Sequence, residues 1–598
     1  MIRITREERC VKMAEQTAKQ DAHRVVQKDG MTIEFDHAIA MDDGVVLRCD
    51  IYRPIGDGKY PAILTSGPYS KGLHFSQGYA NFWERIKECY PEILENTTGK
   101  YFNWETVDPE KWVPEGYACV RIDSRGAGRS EGVIDSLSPR EIQDYYDCIE
   151  YIAGLPWCDG NIGLNGISYF GISQWMVAAK QPPHLKCIIP FEGYMDCYRH
   201  ACRHGGIQMD FQDYWWPTQV RKVQHGLGKR GIIGAITGEW LSGPEEYSDE
   251  KLDQMQSGWL DEVDREELIT AKVYQDRAID MDKIQIPILS CGNWGGNGLH
   301  LLGNVEGYLT AASKEKFLEI HGLEHYTEFY TDYGRKMQQA FLDHYLKGKD
   351  TWHQAPVHLR LRNVDGTFTD RDEQEWPLAR TQWTKYYLHP NGGFSTEVPT
   401  EDFQLRFQAD DHQGLCFMSE PLKEEMEITG PSAGKLIISS DTTDADIYLT
   451  MRVIDPDGRD VTFVSANDYH GLIAMGWLRA SHRKLVPEKT LPYRPFHAHD
   501  EKWPLVPGEK VDLDVEIWPT SVIIPKGYRI GFNLTGTDYE LTDESQWTKA
   551  TPWGTVWKGN ADYTHKGDSW MKELHGTTTL HAEGNDKPYI LLPVIPKK

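Results

Sequence analysis

Leu164-Asn165-Gly166-Ile167-Ser168-Tyr169-Phe170-Gly171 is the stretch on which the reading of the whole chain turns. A buried strand, Asn161 to Asn165, runs into a tight turn, and an apolar helix containing Trp175, Met176, Ala178 and Ala179 follows. A serine on such a turn is held strained and exposed at the helix N-terminus. Backbone N–H groups and the helix dipole there favour a developing anion. Gly166, two before the serine, lets strand and helix pass closely. The usual second glycine, two after the serine, is replaced by Phe170, and Gly171 comes one later. A helix-capping serine shares part of this pattern, but the strand–turn–helix setting favours a nucleophile.

The flanking pattern extends in both directions. The first forty residues read as polar and helical, after which Ile33 to Asp36 and Val45 to Tyr52 read as strands, with Asp42-Asp43-Gly44 as their hairpin turn. Pro61 to Ser66 is a buried strand entering the turn Gly67-Pro68-Tyr69, and an aromatic-rich insertion runs from Leu73 to Trp112. Tyr117 to Asp123 is a strand, and Pro139 to Gly154 a helix with Tyr145, Cys148, Ile149 and Ile152 at helical spacing. Cys187 to Phe191, Pro287 to Cys291 and Phe317 to Ile320 are further strands, and Arg335 to Leu346 is a closing helix. Alternating strands and helices imply a parallel sheet covered on both faces. After Asp350 short strands recur with turns every eight to twelve residues, for example Lys385 to Leu388, Lys435 to Ile438 and Tyr448 to Ile454, the pattern of a β-sandwich with jelly-roll spacing. The expected division is an α/β core at 30–194, a helical cap at 195–280, the second part of the core at 281–350, and a β-sandwich at 351–598.

Composition narrows the partners. The chain has 598 residues and a net charge of −26, which argues against nucleic acid, since phosphate contacts need clustered Lys and Arg. No secretory signal is visible in Met1 to Lys19, and no run of apolar residues is long enough for a membrane span. Eleven cysteines lack metal-type spacing: Cys197 and Cys202 have no second pair to answer them. They read as reduced cytosolic thiols. No metal and no cofactor are implied, and association into a homo-oligomer is left open. The 20 Trp fit aromatic-lined pockets as well as large cores.

Three segments together resemble one family. They are Asp123-Ser124-Arg125-Gly126-Ala127-Gly128-Arg129-Ser130-Glu131-Gly132, Leu155-Pro156-Trp157-Cys158-Asp159-Gly160-Asn161-Ile162-Gly163, and Gly166-Ile167-Ser168-Tyr169-Phe170-Gly171. They resemble the cocaine-esterase and X-Pro dipeptidyl-peptidase family of α/β-hydrolases. Phe341 to Gly348 resembles that family's closing helix, and Gly434-Lys435-Leu436 with Pro525 to Ile530 resembles its jelly roll. The resemblance implies Ser168 as nucleophile and the Tyr169 N–H as one oxyanion donor. It implies Tyr69, in the Gly67-Pro68-Tyr69 turn, as the second donor. A phenol suits that role because it donates while neutral. The family's histidine follows the last core strand, and Ile320-His321-Gly322-Leu323-Glu324-His325 places it at His325. His321 is expected to pack or hydrogen-bond structurally, and the remaining histidines to lie at the surface or in the core.

The family's aspartate has no counterpart. The corresponding loop, Cys291-Gly292-Asn293-Trp294-Gly295-Gly296-Asn297-Gly298-Leu299-His300-Leu301-Leu302-Gly303-Asn304, holds no carboxylate. Glu192 is the preferred substitute, because it follows the strand Cys187 to Phe191 and parallel neighbours end on the same edge. Asp196, Asn297 and Glu306 are less favoured, and a dyad is the remaining option. Asp123, Arg125 and Arg129 read as an ion-paired structural loop. Trp215, Trp216 and Trp294 read as core, with a pocket wall as the alternative. The expected activity is two-step hydrolysis of a carboxylic ester or amide through Ser168, with His325 as base. The alternatives are an X-Pro peptidase or amidase, and a non-catalytic protein whose sandwich binds carbohydrate.

Overall fold

Runs rich in Val, Ile and Leu alternate with helices from Tyr60 to Lys347, and they assemble into the parallel sheet this alternation dictates. The computed structural model describes residues 23–549, 555–559, 563–565 and 568–597. The first seven strands are β1 (Arg24–Lys28), β2 (Met31–Ala40), β3 (Val46–Pro54), β4 (Tyr60–Gly67), β5 (Ala118–Asp123), β6 (Cys158–Ile167) and β7 (Leu185–Phe191). A small hairpin, β8 (Arg203–His204) and β9 (Ile207–Gln208), stands apart. β10 (Ile288–Asn293), β11 (Lys316–His321), β12 (Val357–Arg362) and β13 (Phe368–Glu373) complete an 11-stranded sheet in the order β1-β2-β3-β5-β4-β6-β7-β10-β11-β12-β13. Strands from β5 to β12 in that order run parallel, and antiparallel strands close both edges.

This topology positions the site. In an open parallel sheet, ligands meet the loops beyond the carboxyl ends of the strands. Tyr69 follows β4, Ser168 follows β6, Glu192 follows β7, His300 follows β10 and His325 follows β11. Five loops therefore open on one edge, around the central nucleophile strand.

Three expectations need correction. The expected strand at Ile33 to Asp36 falls within β2, but the flanking residues of β1 and β2 are strand rather than helix, because β2 pairs with β3 along its length and carries its apolar side chains inward; positions 1–22 of the expected helical segment lie outside the described residues. The first sheet continues past the expected boundary at 350, since β12 pairs in parallel with β11 and β13 folds back on β12. The 195–280 segment, expected as a helical cap, is only partly helical and carries the β8–β9 hairpin. Its helices are short, such as Phe211–Trp215, Asp249–Gln254 and Trp259–Arg265, and two of its turns are wide π-turns.

From Gln382–Leu388 to Tyr589–Ile595 the chain forms a second, antiparallel 11-stranded arrangement, built on the long pair Met426–Ser440 and Val511–Ile524. This β-sandwich touches the site. The His325 N–H donates to Ala466 O (3.0 Å), and the Ala466 N–H to Gly295 O (3.3 Å). A side chain at Gly295 would meet Ser465 Cα at 2.4 Å, so the glycine is what lets the two units close.

Candidate active site

Ser168 sits between β6 and the helix Tyr169–Ala178 at φ 56°, ψ −117°, a strained backbone position for a side-chain-bearing residue. Close packing holds it there. A Cβ on Gly166 would lie 2.6 Å from Phe170 Cβ, and one on Gly171 would lie 2.8 Å from Phe191 O. Gly171 therefore serves the approach of the helix to β7. Phe170 is tolerated in place of the usual glycine because its ring lies over Gly67, where an added Cβ would be 2.7 Å from Phe170 Cε1.

The two expected oxyanion donors flank the serine. The Tyr169 N–H is the first of its helix, one of those that helix geometry leaves without an intrahelical acceptor. Its side chain is pinned: Tyr169 Oη donates to Glu141 Oε2 (2.7 Å) and accepts from the Leu137 N–H (3.0 Å). Tyr69 is buried and lines the same pocket as Ser168. Trp215 Nε1 donates to Tyr69 Oη at 2.8 Å, occupying one lone pair and leaving the phenol proton to donate. Burial, reinforced by Glu105, keeps that phenol protonated well above its ordinary range. Two residues on, the buried Lys71 Nζ pairs with Asp36 (2.7 Å) and Asp50 (2.8 Å), and its N–H donates to Asp123 Oδ1 (2.5 Å). Asp123 also accepts from the Arg129 N–H (2.8 Å), and Arg125 pairs with Asp144 (2.7 Å). The ion-paired loop thus anchors the turn that carries Tyr69.

Behind the serine lies a buried cluster of histidines and carboxylates. Glu192 Oε2 is 2.7 Å from His325 Nδ1; its Oε1 is 3.2 Å from His321 Nε2 and accepts from Asn293 Nδ2 at 3.1 Å. His321 Nδ1 faces Glu319 at 2.8 Å. Burial opposes charge on Glu192, but the two histidines outweigh it and bring the carboxyl down to about 2. Burial likewise opposes charge on His325, yet Glu192 and Glu105 raise it to about 10, favouring the protonated ring.

Two residues in this cluster were not singled out from sequence. Glu105, in the Leu73 to Trp112 insertion, places Oε1 3.0 Å from His325 Nε2. Burial lifts its carboxyl to about 7 against the pull of His325. Its carbonyl accepts from the Ile167 N–H (3.1 Å), which ties the insertion to the end of β6. His300, expected in the core or at the surface, places Nε2 3.2 Å from Ser168 Oγ. Its ring stacks on His325, with centroids 5.2 Å apart at 12°. The imidazole on Ser168 is thus that of His300 and not, as expected, that of His325, whose outward nitrogen Glu105 occupies.

The less favoured acids lie elsewhere. Glu306 pairs with Arg494 (2.9 Å), Asp196 with Arg199 (2.8 Å), and Asn297 Nδ2 donates to Trp294 O (3.2 Å). Trp215 lines the pocket at Ser168, while Trp294 and Trp216 are buried, donating to Arg360 O (2.8 Å) and Gln256 (3.1 Å). The pocket is walled by Leu137, Ile172, Tyr194, Phe211, Trp215 and Trp259. His23, Glu34 and His37 bring ligand-type atoms within 4.8 Å of one another, but at the β1–β2 edge, with Glu34 already paired to Arg53 (3.2 Å).

Comparison with known proteins agrees with this architecture. Residues 43–327 match the family described as X-Pro dipeptidyl-peptidase (S15 family), and residues 351–589 match the X-Pro dipeptidyl-peptidase C-terminal non-catalytic domain. The chain is similar to the cocaine esterase of Rhodococcus sp. (strain MB1 Bresler), at 24% identity over 85% of this chain and 91% of that one. It is also similar to the Xaa-Pro dipeptidyl-peptidase of Streptococcus gordonii, at 21% identity over 83% and 72%. A crystal structure of a CocE/NonD family hydrolase from Staphylococcus aureus superposes with a TM-score of 0.80 at 27% identity, covering 96% of each chain. With both family regions present in order over an α/β-hydrolase core and a β-sandwich, the chain belongs to the cocaine-esterase and X-Pro dipeptidyl-peptidase family of serine hydrolases.

Proposed function

We propose that this chain hydrolyses carboxylic esters by a two-step acyl transfer with Ser168 as nucleophile. Ser168 Oγ attacks the carbonyl carbon, and its proton passes into the histidine–carboxylate cluster of His300, His325, Glu192 and Glu105. The oxyanion receives hydrogen bonds from Tyr69 Oη and the Tyr169 N–H. The alcohol leaves with a proton, and water then releases the acid from the acyl-serine. No metal or organic cofactor enters these steps. The observation that carries the reading is the strained Ser168 with an imidazole nitrogen 3.2 Å from Oγ and a buried phenol beside it.

The pocket favours esters over X-Pro peptides. A dipeptidyl-peptidase must hold a free ammonium, which calls for a carboxylate, whereas among the described residues those lining the pocket at Ser168 include no Asp or Glu. Its aromatic and aliphatic walls suit an uncharged acyl group. Free thiols such as Cys197 and Cys202, with Sγ atoms 3.7 Å apart, support a reducing, cytoplasmic setting. Among the described residues no helix is long and apolar enough to cross a membrane. Screening p-nitrophenyl acetate, butyrate and benzoate against an aminoacyl-proline anilide tests the preference. Higher kcat/KM on the esters is expected; a higher value on the anilide overturns it.

A further inference from the structure

We propose that His300, rather than His325, takes the proton from Ser168 Oγ, and that His325 acts only as a positioning residue behind it. The inference rests on the hydrolase reading above, with Ser168 as nucleophile.

The geometry leaves His325 without a nitrogen to offer. Its Nδ1 lies 2.7 Å from Glu192 and its Nε2 3.0 Å from Glu105, so both edges of the ring are engaged by carboxylates. His300 Nε2, in contrast, faces Ser168 Oγ at 3.2 Å. His300 also differs from a triad histidine in how it is held. Its Nδ1 is buried and has no hydrogen-bond partner among the described residues, so no carboxylate orients the ring. Stacking does so instead: the ring lies 12° from the plane of His325 and 12° from that of Tyr194, with centroids 5.2 and 6.2 Å away. The backbone fixes its base, since His300 is the residue from which the helix Leu301–Thr310 starts, directly after the loop that follows β10.

Charge is consistent with this division. A base must be neutral before it acts, and burial, helped by the positive His325, holds His300 well below its ordinary range. The other titratable groups acting on it are Glu192, which favours its charge, and His200, which opposes it. In the step itself the Oγ–H bond breaks and the proton goes to Nε2. The oxygen pair left behind forms the bond to the carbonyl carbon, whose π pair moves onto its oxygen. The oxyanion pair then re-forms the C=O bond as the C–O bond to the alkoxide breaks, and Nε2 gives the departing oxygen its proton. The new imidazolium beside His325 is tolerated because Glu192 and Glu105 flank that histidine with up to two negative charges.

The test is the pre-steady-state burst of p-nitrophenol from p-nitrophenyl acetate, measured between pH 5 and 9 in folded variants checked by circular dichroism. His300→Gln keeps an acceptor near Nε2 without its basicity, and should lose about 10² to 10⁴ in acylation rate. His300→Ala should be partly rescued by added imidazole, in proportion to the neutral fraction. His325→Gln keeps the base and removes the cation beside it, so the acid limb of the rate profile should move to higher pH; an unmoved profile with a loss as large as that of His300→Gln overturns the proposal. A His300→Gln rate within tenfold of wild type, or no imidazole rescue of His300→Ala, overturns the proposal. Ser168→Ala, run in parallel, separates the two readings: a burst that survives in it refutes the hydrolase reading itself.

Discussion

Replacing Tyr69 with Phe removes one oxygen that has two separable jobs. As an oxyanion donor its loss should lower kcat by about 10² to 10³, or roughly 2.7–4 kcal/mol of transition-state stabilisation. As the acceptor of Trp215 Nε1–H at 2.8 Å, its loss strands a buried donor, which costs about 1–3 kcal/mol of folding stability. The double variant Tyr69→Phe/Trp215→Phe removes donor and acceptor together. It should recover most of the stability while leaving kcat low, because no hydroxyl returns to the oxyanion. Stability is read from urea midpoints and activity from steady-state kinetics on a p-nitrophenyl ester. If Tyr69→Phe keeps wild-type kcat and raises only KM, Tyr69 merely lines the pocket. If the double variant restores kcat, the loss in the single variant was structural, and the oxyanion role is refuted.

Three further outcomes are expected. Lys71→Met leaves Asp36 and Asp50 facing an apolar chain in a buried site, so stability should fall by about 3–5 kcal/mol, read as a lower urea midpoint; a loss under about 1 kcal/mol would show that the network does not hold the Tyr69 turn. Burial lowers His200 and His497 to about 4 and His482 to about 3, against about 6.5 when unfolded, so the unfolded chain binds more protons between those values. Each of these histidines should therefore add stability as pH rises from about 4 to 6.5, against the opposite slope of buried carboxyls raised to about 7 such as Glu105 and Asp123; His482→Asn should make the thermal midpoint rise less steeply with pH, and an unchanged slope contradicts it. His321 and His325, raised to about 10, contribute stability that is present below about 6.5 and lost as pH climbs through 10. Glu192→Gln should flatten that alkaline slope, and an unchanged slope would place its cause elsewhere.

Much of the framework was legible because it follows from short-range rules. Alternating strands and helices require a parallel sheet, and parallel strands end on a common edge. That rule alone brings Glu192, after β7, to the neighbourhood of His325, after β11. The serine turn was legible through Gly166 and the buried strand before it. Glu105 was not: Trp104-Glu105-Thr106 lies in an insertion without periodicity, and it reaches the site only because Thr106 bridges to Gly166 across the fold. His300 left a usable signal, a titratable residue starting a helix just beyond a core strand on the catalytic edge. Nothing else in that loop marks it as a base, because the ring is held by stacking and not by the carboxylate that accompanies a triad histidine. The strand β12 was not legible because its partner β11 lies on the other side of the closing helix in sequence, and pairing at that separation leaves no local trace.

The central claim is that Ser168 carries the acyl group. Incubation with a fluorophosphonate, followed by digestion and mass spectrometry, tests it most directly. One adduct per chain is expected, on Ser168 in the peptide spanning Leu164 to Gly171, and it should be absent from Ser168→Ala. An adduct on another residue, or labelling that persists in Ser168→Ala, would contradict the account.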